Sequence, residues 1–572
     1  LPPGVTRIID PGQSQITQLN EQAMSLKVTD LQSGDARAVY KNSGMDMRTY
    51  KRLQMFVHAE KLIDDKTNLR DGDVSVFLRL GSDSKSNYYE YEVPLSLTEP
   101  GNYSTYNAQD QEAVWPQSNM FDFPLSLFTD LKLERNAKKR MDNSTVTFQT
   151  RYSSYDPDKN QNKVTIVGNP SLSDVRTMMI GVRNNSNAAK DIVVWVNEMR
   201  LTDFDQSGGW AAKANVNLGL SDIATLNIAG HVETVGFGGI DQSLTERRLD
   251  DYYQYNIATM VELGRFLPEK VKLKAPLFYS ITEQRTSPKY NPLDQDILLK
   301  DALDNAGSKA ERDSISDASI EKSTVESFSL SGVSFDIRSK NPMPYDPANF
   351  SISYSYNRQS KQDPTTEFEN TYDYRGSFTY SYTPFIKPFV PLKGLKSKSK
   401  HLKFLKEWEF NYLPNNIAFN TNMSRYYYEQ QIRDVSGSGG MALPTSVSKS
   451  FLWDRQFSLT WNLTKSINLS LQTMTNAHIE EPVGVVNKQL FPDEYEAWKD
   501  TVLTSIKNLG TPWNYNQTFN ASYTAPFSKI PVLDYLSFNA KYNATYTWDR
   551  GAQISEEIDL GNSVNNLYLI HI

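Results

Sequence analysis

Leu536-Ser537-Phe538-Asn539-Ala540-Lys541-Tyr542-Asn543-Ala544-Thr545-Tyr546-Thr547-Trp548 is the stretch that decides the fold class. Even positions carry apolar and aromatic side chains, and odd positions carry Ser, Asn, Lys and Thr. A period of two places the first set on one face of a β-strand and the second on the other. The same design recurs in Phe350-Ser351-Ile352-Ser353-Tyr354-Ser355-Tyr356 and in Ser377-Phe378-Thr379-Tyr380-Ser381-Tyr382. Phe457, Leu459, Trp461 and Leu463 alternate with Ser458, Thr460 and Asn462, and Ala214, Val216, Leu218 and Leu220 do so with smaller residues. Counted in this way, the region after Ser207-Gly208-Gly209 holds roughly 13 strands of about 10 residues. Strands of about 9–11 residues at a tilt cross one hydrocarbon layer, whereas soluble sheets favour about 5–6. Strands this long have an apolar face too large for a small core, and lipid is the partner it implies, with aromatics as girdles at the strand ends.

Residues 50–203 have a different texture. Strand-like runs at 52–58, 74–80, 88–93, 145–148, 176–183 and 192–201 are separated by turn-rich stretches such as Asp71-Gly72-Asp73 and Asp156-Pro157-Asp158. Short strands at this spacing, with a helix predicted over 125–140, read as a jelly-roll-like β-sandwich with Phe56 and Trp195 in its core. The predicted organisation is therefore all-β: an extended lead-in or linker over 1–49, a sandwich over 50–203, and a segment of a very large outer-membrane β-barrel over 204–572. Three long connections are expected, at 283–325, 429–450 and 479–513, with helices near 301–320 and 494–509. Long loops on one side and short turns on the other are the barrel pattern. The loop at 429–450 contains Ser436-Gly437-Ser438-Gly439-Gly440, and Lys393, Lys396, Lys398, Lys400, Lys403 and Lys406 form a basic stretch that reads as a solvated loop.

Composition narrows the function classes. The 572 residues are 22% charged and 39% hydrophobic, which argues against wholesale disorder. A net charge of −7 argues against a nucleic-acid partner. Aromatics reach 12%, led by 32 Tyr, as strands and membrane interfaces favour. There is no Cys, so disulfide and thiol chemistry are excluded. Mean hydropathy is −0.55 and no apolar run reaches the length of a transmembrane helix, a test that leaves transmembrane strands open. The chain begins Leu1-Pro2-Pro3-Gly4 and ends in a strand-like Asn565-Asn566-Leu567-Tyr568-Leu569-Ile570, so both ends read as cuts through a longer protein.

No motif carries catalysis. His58, His231, His401, His478 and His571 are scattered, without metal-ligand spacing. Gly236-Phe237-Gly238-Gly239 lacks the Lys-Ser/Thr pair of a phosphate loop and reads as strand-end glycines. Asp156-Pro157-Asp158-Lys159-Asn160-Gln161-Asn162 has oxygen side chains at alternate positions, as calcium loops do. It has Gln161 where such loops need Gly and Val167 where they need Glu, so an ordinary polar turn is the expectation. No catalytic, cofactor-binding or metal residue is assigned, no cofactor is expected, and an enzyme is the least favoured class.

Several long blocks carry a resemblance. They include Gly34-Asp35-Ala36-Arg37-Ala38-Val39-Tyr40-Lys41-Asn42, Met55-Phe56-Val57-His58-Ala59-Glu60 and Gly168-Asn169-Pro170-Ser171-Leu172. Others are Trp195-Val196-Asn197-Glu198-Met199-Arg200-Leu201-Thr202-Asp203-Phe204, Pro288-Lys289-Tyr290-Asn291-Pro292-Leu293-Asp294 and Phe410-Asn411-Tyr412-Leu413-Pro414-Asn415. In order through about residue 550, these resemble the SprA/Sov family of cell-surface proteins. The resemblance implies the outer-membrane translocon of the type 9 secretion system of Bacteroidota, tied to gliding motility. It implies export of folded cargo with C-terminal signals, and partner subunits that gate or plug the channel.

Size connects strand number to that function. At a ~40° tilt each strand takes roughly 6 Å of circumference, so about 13 strands close a barrel about 26 Å across. A folded domain of about 100 residues is about 34 Å across and does not pass. About 36 strands, the count the resemblance implies, give roughly 70 Å. For folded-protein export these strands must therefore be part of a larger wall. Two other readings compete: a nutrient porin or receptor barrel, and a soluble all-β adhesin or carbohydrate-binding protein.

Overall fold

The structure is a computed structural model that describes residues 2–6, 22–141, 143–243, 246–392, 394, 406–434, 443–489, 491–530, 533–551 and 560–571. It is all-β in character, built on antiparallel sheets, and none of its helices is long and apolar enough to cross a membrane. The chain forms two units. One comprises Leu1–Ala211, Glu233–Asp251 and Ser287–Ser319, and the other Ala212–Val232, Tyr252–Thr286 and Ile320–Ile572.

The first unit is a sandwich. Its smaller sheet has the order β1 (Met24–Leu31), β10 (Lys190–Phe204), β3 (Tyr50–Glu60), β6 (Phe121–Pro124). Its larger sheet has the order β2 (Ala36–Met45), β9 (Val175–Asn184), β4 (Val74–Gly81), β5 (Tyr88–Pro94), β8 (Lys163–Val167), β7 (Tyr152–Tyr155). Alternate residues meet between them: Leu53, Met55 and Val57 of β3 and Ile192, Val194 and Val196 of β10, against Val76, Leu78 and Leu80 of β4 and Tyr89 and Tyr91 of β5. A short helix α1 (Ala108–Val114) precedes β6, and α2 (Ser126–Lys139) brings Phe128 against Tyr89 and Phe123.

Two expectations are corrected here. Residues 1–49 are not merely a lead-in, because β1 pairs with β10 and β2 pairs with β9. Both are edge strands with mostly exposed side chains, so they lack the apolar alternation by which a strand is recognised. Phe56 and Trp195 are not in the core either. They point to the opposite face of the small sheet, half-buried, where Trp195 is the register partner of His58 and Asn197 that of Phe56. We therefore expect Trp195→Ala to lower sandwich stability by only about 1–2 kcal/mol, a partial-burial loss rather than a core deletion. Urea unfolding followed by hydrogen exchange at β10 measures it.

The connection between β15 and β18 (ranges below) contributes to this unit. A hairpin, β16 (Tyr290–Asn291) and β17 (Asp294–Leu298), is followed by α3 (Leu299–Asp304) and α4 (Lys309–Ser319). The Lys132 ammonium, fully buried on α2, reaches Asp294 at 2.5 Å and Asp296 at 2.8 Å and donates to the Pro170 carbonyl at 2.8 Å. The Tyr89 hydroxyl donates to Asp296 at 2.6 Å. Burial raises the Asp294 carboxyl above its ordinary range although Lys132 pulls it down, and burial pushes the Tyr89 phenol up. The hairpin is further tied by Arg48, which donates to the Gln295 carbonyl and lies over the Tyr290 ring.

A second sheet holds the long alternating strands. Thirteen follow one another in sequence order: β11 (Ala211–Leu220), β12 (Ala224–Glu233), β13 (Asp250–Glu262), β15 (Pro276–Pro288), β18 (Glu321–Phe335), β19 (Phe350–Gln362), β20 (Thr366–Tyr382), β21 (Asn416–Ile432), β22 (Ser446–Asn462), β23 (Ile467–His478), β24 (Thr511–Thr524), β25 (Asn539–Asp549) and β26 (Ser563–His571). The short β14 (Leu273–Lys274) also pairs with β18. Among the described residues β11 and β26 stand at the two ends of this order and do not pair with each other. Ser207-Gly208-Gly209 leads into the sheet, and a Cβ on Gly209 would lie 2.2 Å from the Phe237 nitrogen, so the close crossing with the β12–β13 connection requires glycine there.

Strand direction alternates, so connections alternate between two ends. Those after β15, β21 and β23 share an end, and they lie within the stretches 283–325, 429–450 and 479–513 named above. The last contains α5 (Pro492–Lys507). The expectation of short turns at the other end is corrected, because the connection after β20 spans 383–415. Within it Lys393, Lys396, Lys398, Lys400 and Lys403 lie outside the described residues, as does the run from Ser436 to Gly440 in the β21–β22 connection.

Candidate functional site

The candidate site is a surface: the two faces of the long-stranded sheet. Strand register assigns them. Tyr380 pairs with Phe419, which pairs with Phe457; Leu459 pairs with Leu471, which pairs with Phe519. Ring contacts continue this face, with Tyr515 against Tyr546 at 6.0 Å, Phe519 against Tyr542 at 6.3 Å and Tyr523 against Phe538 at 6.4 Å. Phe538, Tyr542, Tyr546 and Trp548 thus share one side, as the period of two predicts.

The opposite face is made largely of small polar side chains, with charges such as Asp373, Arg375 and Asp454 among them. Ser327 donates to Asn357 at 2.9 Å and Thr379 to Asn420 at 3.1 Å, each across a strand pair. These are the polar counterpart of the aromatic pairs behind them. The polar face is also hollowed. Ser329, Ser353, Asp373, Arg375, Ser424 and Asp454 are among the residues around a depression of about 610 Å³.

At the end shared by the three long connections the apolar face changes character. Tyr356 lies 5.1 Å from Tyr374 and Tyr372 lies 5.9 Å from Tyr427. Arg358 stands over Tyr372 at 5.6 Å and Arg425 over Tyr427 at 5.4 Å. The β23–β24 connection covers this cluster. Glu481 accepts from Arg425 Nε at 2.6 Å and from Trp498 Nε1 of α5 at 2.8 Å, and Lys449 donates to the Gly484 carbonyl at 2.9 Å. Tyrosines interleaved with cations at strand ends are the composition of an aromatic girdle, in which an amphipathic ring or a long cation meets water while its body stays in the apolar layer.

A family model described as motility related/secretion protein, SprA_N, matches residues 1–303, more than half of the chain. The chain belongs to this family. No curated protein matches it. The matched region contains the whole sandwich and the hairpin that carries Asp294 and Asp296. It joins two of the blocks quoted above, since Pro170 of Gly168–Leu172 and Asp294 of Pro288–Asp294 meet at Lys132. Neither block announces that meeting, because each reads alone as a polar turn.

The calcium-like run is used internally. Asp156 accepts from the Tyr91 hydroxyl at 2.6 Å and from the Asp158 amide at 2.9 Å, and Asn162 donates to Tyr91 at 2.9 Å. His58 is buried on the outer side of the small sheet against Trp115 and Trp195, His231 packs on Tyr252 and His478 lies beside the Phe451 carbonyl, so these are not brought together; His401 lies outside the described residues. Among the described residues no group of three metal-ligating side chains occurs.

Proposed function

We propose that this chain forms part of the wall of a protein-conducting channel in the bacterial outer membrane, exporting folded cargo in type 9 secretion and supporting gliding motility. The observation that carries the reading is the two-faced long-stranded sheet, polar and hollowed on one face and apolar with aromatic rows on the other. An apolar face with a Tyr–Arg girdle suits lipid, and a hollowed polar one suits a water-filled lumen. The lumen-side residues are mostly Ser, Thr and Asn, so the wall has no strong single-sign field and neither traps nor repels folded surfaces of either charge. Secreted proteins with C-terminal signals, gating or plugging subunits and outer-membrane lipid are the partners this role requires, and it involves no catalytic step.

Site-specific photo-crosslinking in cells producing the full-length protein tests the reading. A folded fluorescent domain bearing a cargo secretion signal is expected to crosslink to probes at Asn420 and Ser458 on the polar face. Probes at the neighbouring Phe419 and Phe457 are expected to label lipid. Cargo captured at Phe419 and Phe457, or at none of the four, rejects the channel. Passage of small solutes with no folded cargo captured supports a nutrient porin instead.

A further inference from the structure

The displaced aromatics of the sandwich form a site of their own. Phe56 and His58 of β3 and Trp195 of β10 project from the outer face of the small sheet, and Trp115, which caps α1, packs over them. The His58 ring lies 4.6 Å from Trp195 and 6.0 Å from Trp115, and Phe56 lies 6.4 Å from Trp115. Outer faces of sandwich sheets are ordinarily polar. Here His58, Trp115 and Trp195 of this cluster line a cavity of about 960 Å³, at the upper end of the range of about 300–1,000 Å³ of small-ligand sites.

One buried group is left unsatisfied there. His58 is 3% exposed, and its Nδ1 lies 2.7 Å from the Val114 carbonyl, an atom that only accepts, so Nδ1 carries the proton. In the neutral ring Nε2 is then an acceptor, and it has no hydrogen-bond partner. Its neighbour is another acceptor, the Glu60 carboxylate at 3.6 Å. A buried acceptor without a donor is destabilising, and a hydroxyl brought in by a ligand would relieve it.

The remaining lining excludes most other ligand classes. Glu60, Asp65, Glu99 and Asp110 oppose an anion, and Lys61 and Lys66 partly offset them against a cation. Trp115 and Trp195 supply the apolar wall beside these polar groups. The ligand that suits it is neutral, has one apolar face for the indoles, and carries groups that donate and accept at once. That is the chemistry of a saccharide, and the volume suits several rings. We propose that this cavity is a binding site for a neutral oligosaccharide, held by stacking on Trp195 and Trp115 and by hydroxyls bridging His58 Nε2 and Glu60. This inference does not depend on the channel reading.

Saturation-transfer NMR and calorimetry on the purified full-length protein test it, using cellotriose, maltotriose, mannotriose and chitotriose, with penta-lysine and penta-glutamate as charged controls. At least one trisaccharide is expected to bind, and to bind at least tenfold more weakly in Trp195→Ala and in Glu60→Gln. Glu60 is on the rim and its isosteric amide keeps the fold, so this variant remains informative if Trp195→Ala loosens β10. Absence of binding by all four sugars at millimolar concentration overturns the proposal. So does sugar binding that both variants leave unchanged, or binding of a charged peptide that the two variants abolish.

Discussion

Replacing Lys132 by Met is expected to loosen the sandwich by about 3–5 kcal/mol, because it leaves two carboxylates facing an apolar interior. The Lys132 side chain is fully buried, as is Asp296, while Asp294 is only 18% exposed. The Tyr89 hydroxyl and the Leu172 amide still reach Asp296, but neither supplies a charge. Adding Asp294→Asn and Asp296→Asn is expected to recover most of the loss, since removing all members of a buried ionic cluster leaves no uncompensated charge. Acid gives a second signature. The Asp294 carboxyl is already raised by burial, and without Lys132 it rises further. A carboxyl with a folded-state pKa above its unfolded one holds more protons when folded, so Lys132→Met should regain stability as pH falls toward the ordinary carboxylate range. Hydrogen exchange at β8, β9 and the 290–298 hairpin of the full-length protein measures both effects. A loss below about 1 kcal/mol would show that the hairpin is held by Arg48 and Tyr290 rather than by this ion cluster.

The contrast between the two units explains what could be read in advance. In most of the long strands polar and apolar residues alternate, as in β25, so register and face follow from residues such as Phe538, Tyr542 and Tyr546. In β10 the run Ile192-Val193-Val194-Trp195-Val196 is apolar at both parities, and in β3 so is Met55-Phe56-Val57. Periodicity cannot choose a face there, and size pointed to the wrong one: the smaller branched residues fill the gap between the sheets and the large aromatics are left outside. That same inversion hid the aromatic cavity, whose lining became visible only with the register. The Lys132–Asp296 contact was hidden differently. The partners are 164 residues apart, on a helix and on a loop hairpin, and no local pattern links a lysine to a carboxylate at that distance. The calcium-like turn shows the converse, a local pattern whose oxygens the fold spends on Tyr91.

An arginine at position 471 is the sharpest test of which solvent the apolar face meets. Leu471 is the central link between Leu459 and Phe519, and the residue after it, Gln472, faces the polar side between Ser458 and Thr518. If the apolar face lies in hydrocarbon, Leu471→Arg places a guanidinium where no water reaches it, at a cost of about 2–4 kcal/mol near the midplane. Gln472→Arg, one residue along the same strand, places the same charge in an aqueous lumen and should cost no more than about 0.5 kcal/mol. Backbone propensity and side-chain size are matched between the two variants, so their difference isolates the environment of each face. Urea titration of the full-length protein in phospholipid vesicles, together with the amount assembled in the outer membrane, reads that difference. A soluble adhesin that covers this face with another protein layer would also penalise Leu471→Arg, but with no requirement for lipid. Equal stability of the two variants in vesicles, or a Leu471→Arg penalty that persists unchanged in lipid-free buffer, therefore rejects the membrane wall. A penalty confined to position 471 and to the bilayer is the outcome the Leu459–Leu471–Phe519 row and its polar reverse require.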